Sequence, residues 1–316
     1  MKFHMGPFFQ GFVIAMGLLL FIVGAVNFLV DPYFYREQRI RYFNYLPIIT
    51  IGDIAPVKNV FRLYSKGPNV KFSIIGTSHI LWGITDCNYP EMEKMAVSAM
   101  TLKESTEILQ QILVKAKVRK TVFVELCGVK ALSAIRDHDF LTRTLSLRTT
   151  VYSLRVIRNN LFNHQTIRNT LCMPYFPYSS NVKSLAGLES SSTDLRPVKA
   201  EEIAAIKKMY AINDQLKNNL QHEVVFFTAP LPSEIMEKEK YKQMNREISS
   251  QMAKTMTAMQ SSNAQIKFRF INLVGTEIGK EYQFRKGNFF EGWYDGTHFK
   301  SRVGDQMVKY LIDHSN

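Results

Sequence analysis

Only three cysteines, Cys87, Cys127 and Cys172, occur in 316 residues. That is too few for a disulfide framework, and their spacing suits no metal centre. The odd count leaves at least one thiol free or paired between molecules. Neither GxxxxGK[ST] nor GxGxxG occurs, so the common Gly-rich phosphate loops are absent. Glycine and proline, at 16 and 11, sit near ordinary usage, which sets aside collagen-like and low-complexity chains. Acidic residues are in short supply: 27 Asp and Glu face 40 Lys and Arg, a net charge of +13. A surplus of that size points to an anionic partner such as nucleic acid, membrane headgroups or an acidic polymer. Apolar residues are plentiful, at 46% hydrophobic with 12% aromatic, which excludes disorder. The length allows one large domain or two small ones.

Phe8 to Val30 carries no charge, and Gln10 and Asn27 are its only strongly polar residues. About 20 apolar residues in a helix span the roughly 30 Å hydrocarbon layer of a bilayer. A core helix would show a polar stripe, and this segment shows none. The rival is a cleaved signal peptide, because Lys2 and His4 form a short basic n-region. Its apolar stretch would be too long, and the cleavage pattern at Val23-Gly24-Ala25 is weak. The sequence therefore predicts an uncleaved transmembrane anchor over residues 1–30. The flanking charges leave its orientation open, since Arg36, Arg39 and Arg41 follow it and Lys2 precedes it. An anchor makes nucleic acid an improbable partner, and no nucleic-acid motif occurs.

Asp31-Pro32-Tyr33 breaks the helix, and residues 31–70 read as an aromatic, basic juxtamembrane collar. From residue 71 to 316 strands alternate with helices. Lys71–Ile75, Thr121–Leu126, Glu223–Thr228 and Ile266–Leu273 are apolar or β-branched runs that predict buried strands. Leu102–Ala116, Glu201–Leu220, Ser233–Ser261 and Arg302–Ile312 predict helices, with the methionines between Ile235 and Met259 as core packing. This rhythm implies an α/β fold: a mostly parallel sheet with helices on both faces. Residues 132–196 carry no clear strand and hold Arg136, Arg143, Arg148, Arg155, Arg158 and Arg168, a basic helical insert. Its basic face is either merely solvated or meets membrane phosphates or an anionic substrate.

Ligands bind such sheets at the carboxyl ends of the strands, and two segments with suitable chemistry fall there. In the first, Gly76-Thr77-Ser78-His79 follows the first strand. Gly76 permits a tight turn, and Ser78 presents a hydroxyl near a helix start whose N–H groups can stabilise an oxyanion. A serine N-cap explains the same residues. His79 lines the pocket or lies on the surface. In the second, Trp293-Tyr294-Asp295-Gly296-Thr297-His298-Phe299 precedes the last helix. One turn there can hold Asp295 against His298, fixing the tautomer of a base for a serine hydroxyl. A helix-capping Asp beside a surface His is the plain alternative. Trp293 and its neighbours wall the site, stack on sugars, or simply pack.

Together, a Gly-x-Ser after the first strand and a D-x-x-H before the last helix resemble the SGNH (GDSL-like) hydrolase superfamily. The resemblance runs from about Lys71 to Ile312 and includes Asp31-Pro32-Tyr33. It is closest in pattern to membrane-anchored proteins that O-acylate envelope polysaccharides or teichoic acid. It implies a flavodoxin-like sheet, with Ser78 as nucleophile, His298 as general base and Asp295 as its orienter. It also implies no cofactor or metal, and a globular domain on the extracytoplasmic (periplasmic or cell-surface) side of the cell membrane. The partners implied are an acyl donor or acylated envelope polymer and a polytopic membrane acyl-transfer protein. Typical esterases of the superfamily add a Gly after the second strand and an Asn after the third, as oxyanion donors. Met95–Ala99 and Glu125–Gly128 stand there instead, leaving the Ser78 N–H and Ser98 as substitutes. Two functions follow: a serine O-acyltransferase or esterase working through an acyl-serine, or a catalytically degenerate scaffold that binds an envelope polymer or a membrane partner.

Overall fold

The computed structural model describes residues 7–30, 67, 69–85, 88–96, 100–126, 145–162, 197–216, 220–259, 265–280, 292–293 and 298–315. They fall in two compact units, Met1–Val60 with Ser133–Thr170, and Phe61–Leu132 with Leu171–Asn316.

The first unit contains helices α1 (Pro7–Val30) and α4 (Leu147–Phe162). Helix α1 is long and apolar enough to cross a membrane, and it exposes Phe8, Phe12, Leu18 and Phe21 along its length.

The second unit is an α/β structure whose described residues form a five-stranded, all-parallel sheet. Its strands are β1 (Phe72–Gly76), β2 (Met92–Ala96), β3 (Thr121–Glu125), β4 (His222–Thr228) and β5 (Ile266–Asn272), in the order β2-β1-β3-β4-β5. Its helices are α2 (Ser78–Gly83), α3 (Leu102–Val114), α5 (Ala200–Tyr210), α6 (Ser233–Met236), α7 (Glu239–Ala258) and α8 (Ser301–Asp313). The order 2-1-3-4-5 is a common doubly wound arrangement, and it places the switch in winding direction between β1 and β3.

Successive strand residues face opposite ways, and in β1, β3 and β4 both sets are buried. Ile74, Phe123, Val225 and Phe227 join a cluster with Phe299, Val303 and Met307. On the alternate face Phe226 stacks on Phe268, which in turn meets Tyr210 of α5. Helices therefore cover both faces, as continuous apolar strands require. Four of the five strands coincide with apolar runs in the sequence. The fifth, β2, reads Met-Glu-Lys-Met-Ala and carries no such signal. It forms because Met92 and Met95 are buried on an edge strand and its charges find partners. The Lys94 ammonium donates to the carbonyls of Leu81 and Ile84, at 3.3 and 2.6 Å, a cation at the end of α2.

Helix α3 begins where the sequence predicts, because Thr101 and Glu104 close a capping box. The long helix expected from Ser233 to Ser261 is instead two, α6 and α7, interrupted at Glu237-Lys238. Most of its methionines are core residues as expected: Met236, Met252, Met256 and Met259 are buried, and Met244 is half-buried against the core.

At the amino end of β4, His222 is buried and its Nδ1 accepts the Lys120 N–H at 3.2 Å. Burial, reinforced by Lys120 and Arg119, pushes the imidazole pKa down to about 4. An unfolded histidine titrates near 6.5, so from there down to about 4 the unfolded chain binds a proton that the fold rejects. Stability should thus fall as pH drops through that window, by on the order of 3 kcal/mol. Urea midpoints at steps between pH 7 and 4 will show this decline, and His222→Gln should flatten it.

Candidate active site

The loop leaving β1 and the segment entering α8 meet at the carboxyl end of the sheet. Thr77 caps α2, its hydroxyl accepting the His79 N–H at 3.5 Å, and Ser78 is the first residue of that helix. His298 stands three residues before α8, where its Nε2 lies 2.8 Å from Ser78 Oγ. Residues 220 apart in the chain are thus within hydrogen-bond reach.

Packing holds that distance. A Cβ on Gly304, near the start of α8, would lie 1.8 Å from the Gly83 carbonyl oxygen at the end of α2. One on Gly83 would meet the Phe299 ring at 2.0 Å. The two helices therefore touch backbone to backbone, with Phe299 fully buried beside them. Phe299 also bridges to Trp293 in antiparallel fashion, packs edge-on against its ring, and is followed by a Lys300 N–H bond to Gly292 O at 2.7 Å. Trp293 is buried in this clasp. It fixes the backbone that directly follows His298.

Behind Ser78 sits a group that sequence reasoning did not single out. Glu125, the last residue of β3, is 2% exposed, and its Oε1 lies 2.5 Å from His79 Nδ1. Its Oε2 accepts the Thr77 N–H at 2.6 Å. One carboxylate therefore grips the residues on both sides of the serine. Burial opposes the charge of Glu125, but the His79 imidazole and the Thr77 N–H and hydroxyl outweigh it and hold the carboxyl below its ordinary value. His79 is itself buried, with its ring 5.2 Å from that of His298. The pair thus reaches from the switch point between β1 and β3 to His298.

Gly76 owes its identity to close approach by Ile80 and this carboxylate rather than to a positive φ. Its φ is not among the positive values, which among the described residues occur at Gly67, Gly275 and Gly279. A Cβ there would stand 2.2 Å from Ile80 Cγ1 and 2.6 Å from Glu125 Oε2.

Of the residues predicted from sequence, the structure brings together Ser78, His298, His79 and Gly76, with Trp293 in the supporting clasp. Asp295 and Ser98 lie outside the described residues. Glu125 was legible only as the end of an apolar strand; a lone carboxylate at the carboxyl end of a central strand was the available signal. An open cavity of about 570 Å³ lies beyond β4 and β5, lined by Leu231, Met236, Lys242, Asn245, Arg246 and Thr276 among others, and none of the site residues lines it. Among the described residues no cluster of three or more His, Cys, Asp and Glu could hold a metal ion.

Fold and site together define a doubly wound α/β unit with a serine–histidine pair at the switch point of its sheet. In comparisons with known proteins, no family model matches the chain and no curated protein matches it significantly.

Proposed function

We propose that the chain is a membrane-anchored, SGNH-like serine acyl-ester enzyme with a flavodoxin-like core. In this reading it is an O-acyltransferase or esterase acting on acyl esters of a cell-envelope polysaccharide or similar polymer. The observation that carries this reading is the 2.8 Å approach of His298 Nε2 to Ser78 Oγ at the carboxyl end of β1. His298 takes the hydroxyl proton as Ser78 Oγ attacks the acyl carbonyl carbon. The tetrahedral adduct collapses, the donor's alkoxide leaves with the proton from His298, and the acyl group remains on Ser78. His298 then deprotonates water or a polymer hydroxyl, which attacks the acyl-serine and regenerates the enzyme. Asp295 is the orienter in this scheme, as the resemblance implies. Glu125 and His79 hold the turn that presents Ser78.

The anchor reading draws support from α1. A core helix of that composition would be buried, whereas α1 exposes apolar side chains over most of its length. As the resemblance implies, the globular domain in this reading faces the extracytoplasmic side, where a polytopic membrane protein would supply acyl groups.

A fluorophosphonate probe should label the folded protein, and Ser78→Ala should abolish labelling without changing its melting temperature. A folded wild-type protein that takes no label would overturn the enzyme reading in favour of the polymer-binding scaffold.

A further inference from the structure

The basic insert contributes α4, and α4 is not an isolated helix: it is hydrogen-bonded to the apolar helix α1. Asn27 is the buried polar residue of α1, 3% exposed. Its Nδ2 donates to Thr150 Oγ1 at 3.0 Å, and its Oδ1 accepts the Ser153 hydroxyl at 2.8 Å. One turn earlier a Cβ on Gly24 would lie 3.2 Å from Leu145 Cδ2, so the chain leading into α4 packs against α1 at a position with no side chain. A small residue and a polar residue one turn apart make a helix–helix seam of the kind found in membranes.

The seam fixes the depth of α4. Twenty-four residues at 1.5 Å each make α1 about 36 Å long. That exceeds the roughly 30 Å hydrocarbon core by about 3 Å at each end. Asn27 is three residues from the last residue of α1, about 4.5 Å along the axis. It therefore falls at the boundary between acyl chains and headgroups, and Thr150 and Ser153, which bond to it, lie at the same level.

The other side of α4 suits that level. Thr149, Ser153 and Val156 are buried, whereas Val151, Leu154 and Leu161 on the opposite arc are each about half exposed, at 50, 55 and 47%. Arg155 and Arg158 are exposed on the same arc. Three large aliphatic side chains facing water would be unfavourable. Interleaved with arginines at the edge of a bilayer, they match an interfacial helix, whose apolar residues enter the acyl boundary while the guanidinium groups reach phosphates.

We propose that α4 is a membrane-surface helix, docked on the anchor through Asn27 and bound to anionic phospholipid headgroups through Arg155 and Arg158. The proposal rests on α1 crossing a bilayer. It does not depend on the chemistry at Ser78. It gives part of the net charge of +13 a lipid partner.

The full chain, with its three cysteines replaced by serine, can be reconstituted in mixed phosphatidylcholine–phosphatidylglycerol vesicles. Single fluorophores are attached through Leu154→Cys, Leu161→Cys or, as a control in the middle of α1, Leu18→Cys. Lipids carrying a nitroxide near the headgroup should quench the labels at 154 and 161 several-fold more than lipids with the nitroxide at the chain end. The label at 18 should show the reverse. Quenching at 18 without quenching at 154 or 161 would overturn the proposal and leave that face to water or a protein partner. No quenching at 18 would instead remove the anchor itself. Arg155→Glu combined with Arg158→Glu should lower quenching at 154 in the mixed vesicles, and unchanged quenching would overturn the headgroup contact.

Discussion

His298→Gln should lower kcat/KM for a model ester by about 10²–10⁴-fold, the usual contribution of a positioned general base, while the protein melts at nearly the wild-type temperature. Glutamine is the informative replacement because its amide can still hydrogen-bond Ser78 Oγ but cannot accept the proton. The His298 imidazole is only part-buried, and the clasp around it is made by Trp293, Phe299 and the Lys300–Gly292 bond, none of which uses its ring. The fold should therefore tolerate the change. The loss should fall on kcat with KM little altered, since a base acts in the transition state rather than in ground-state binding. Steady-state hydrolysis of a chromogenic acetyl ester, run beside thermal melts of both proteins, checks both halves. Turnover within threefold of wild type would remove His298 from the mechanism, whatever its distance from Ser78.

Ser78 and His298 were legible because chemistry in doubly wound folds concentrates where strands end, and sequence marks strand ends well when the strands are buried on both faces. The runs FSII, TVFV and VVFF are predominantly apolar, so the strands and the loops leaving them could be placed. Strand β2 could not. Glu93 and Lys94 interrupt it, and their neutralisation depends on residues distant in sequence, such as the Leu81 and Ile84 carbonyls that receive Lys94. The break between α6 and α7 was hidden for a related reason: Glu237 and Lys238 are good helix formers, so nothing local announces the interruption. Asn27 was visible as a polar intruder in an apolar run, but its partners Thr150 and Ser153 lie more than 120 residues away. Gly76 was correctly singled out for an incomplete reason. A glycine after a strand suggests a turn, and only the third dimension shows the Ile80 side chain and the Glu125 carboxylate that together exclude a Cβ.

Glu125→Ala should be severely damaging to the site's framework. Truncation removes the carboxylate from the buried Thr77 N–H and from His79 Nδ1, which keeps the Thr77 hydroxyl at 3.2 Å, and breaking a buried pair in this way costs about 3–5 kcal/mol. For a protein of this size that corresponds to a melting temperature lower by roughly 6–20 °C. Glu125→Gln separates charge from shape. Its carbonyl can accept the Thr77 N–H while its amide donates to a neutral His79 ring, so it should keep more of the stability than alanine does. The charge also sets a pH dependence. Because the folded carboxyl is held below its unfolded value, near 4.3, its contribution is complete above that value and is lost as pH falls through the folded pKa. Glu125→Gln should therefore lose less stability than wild type when taken from neutral pH to below pH 4. Turnover should fall in both variants, since the carboxylate holds Thr77 and His79 on either side of Ser78. Wild-type stability and turnover in Glu125→Ala would show that the turn carrying Ser78 is held by the Gly83–Gly304 contact and the Phe299 clasp alone.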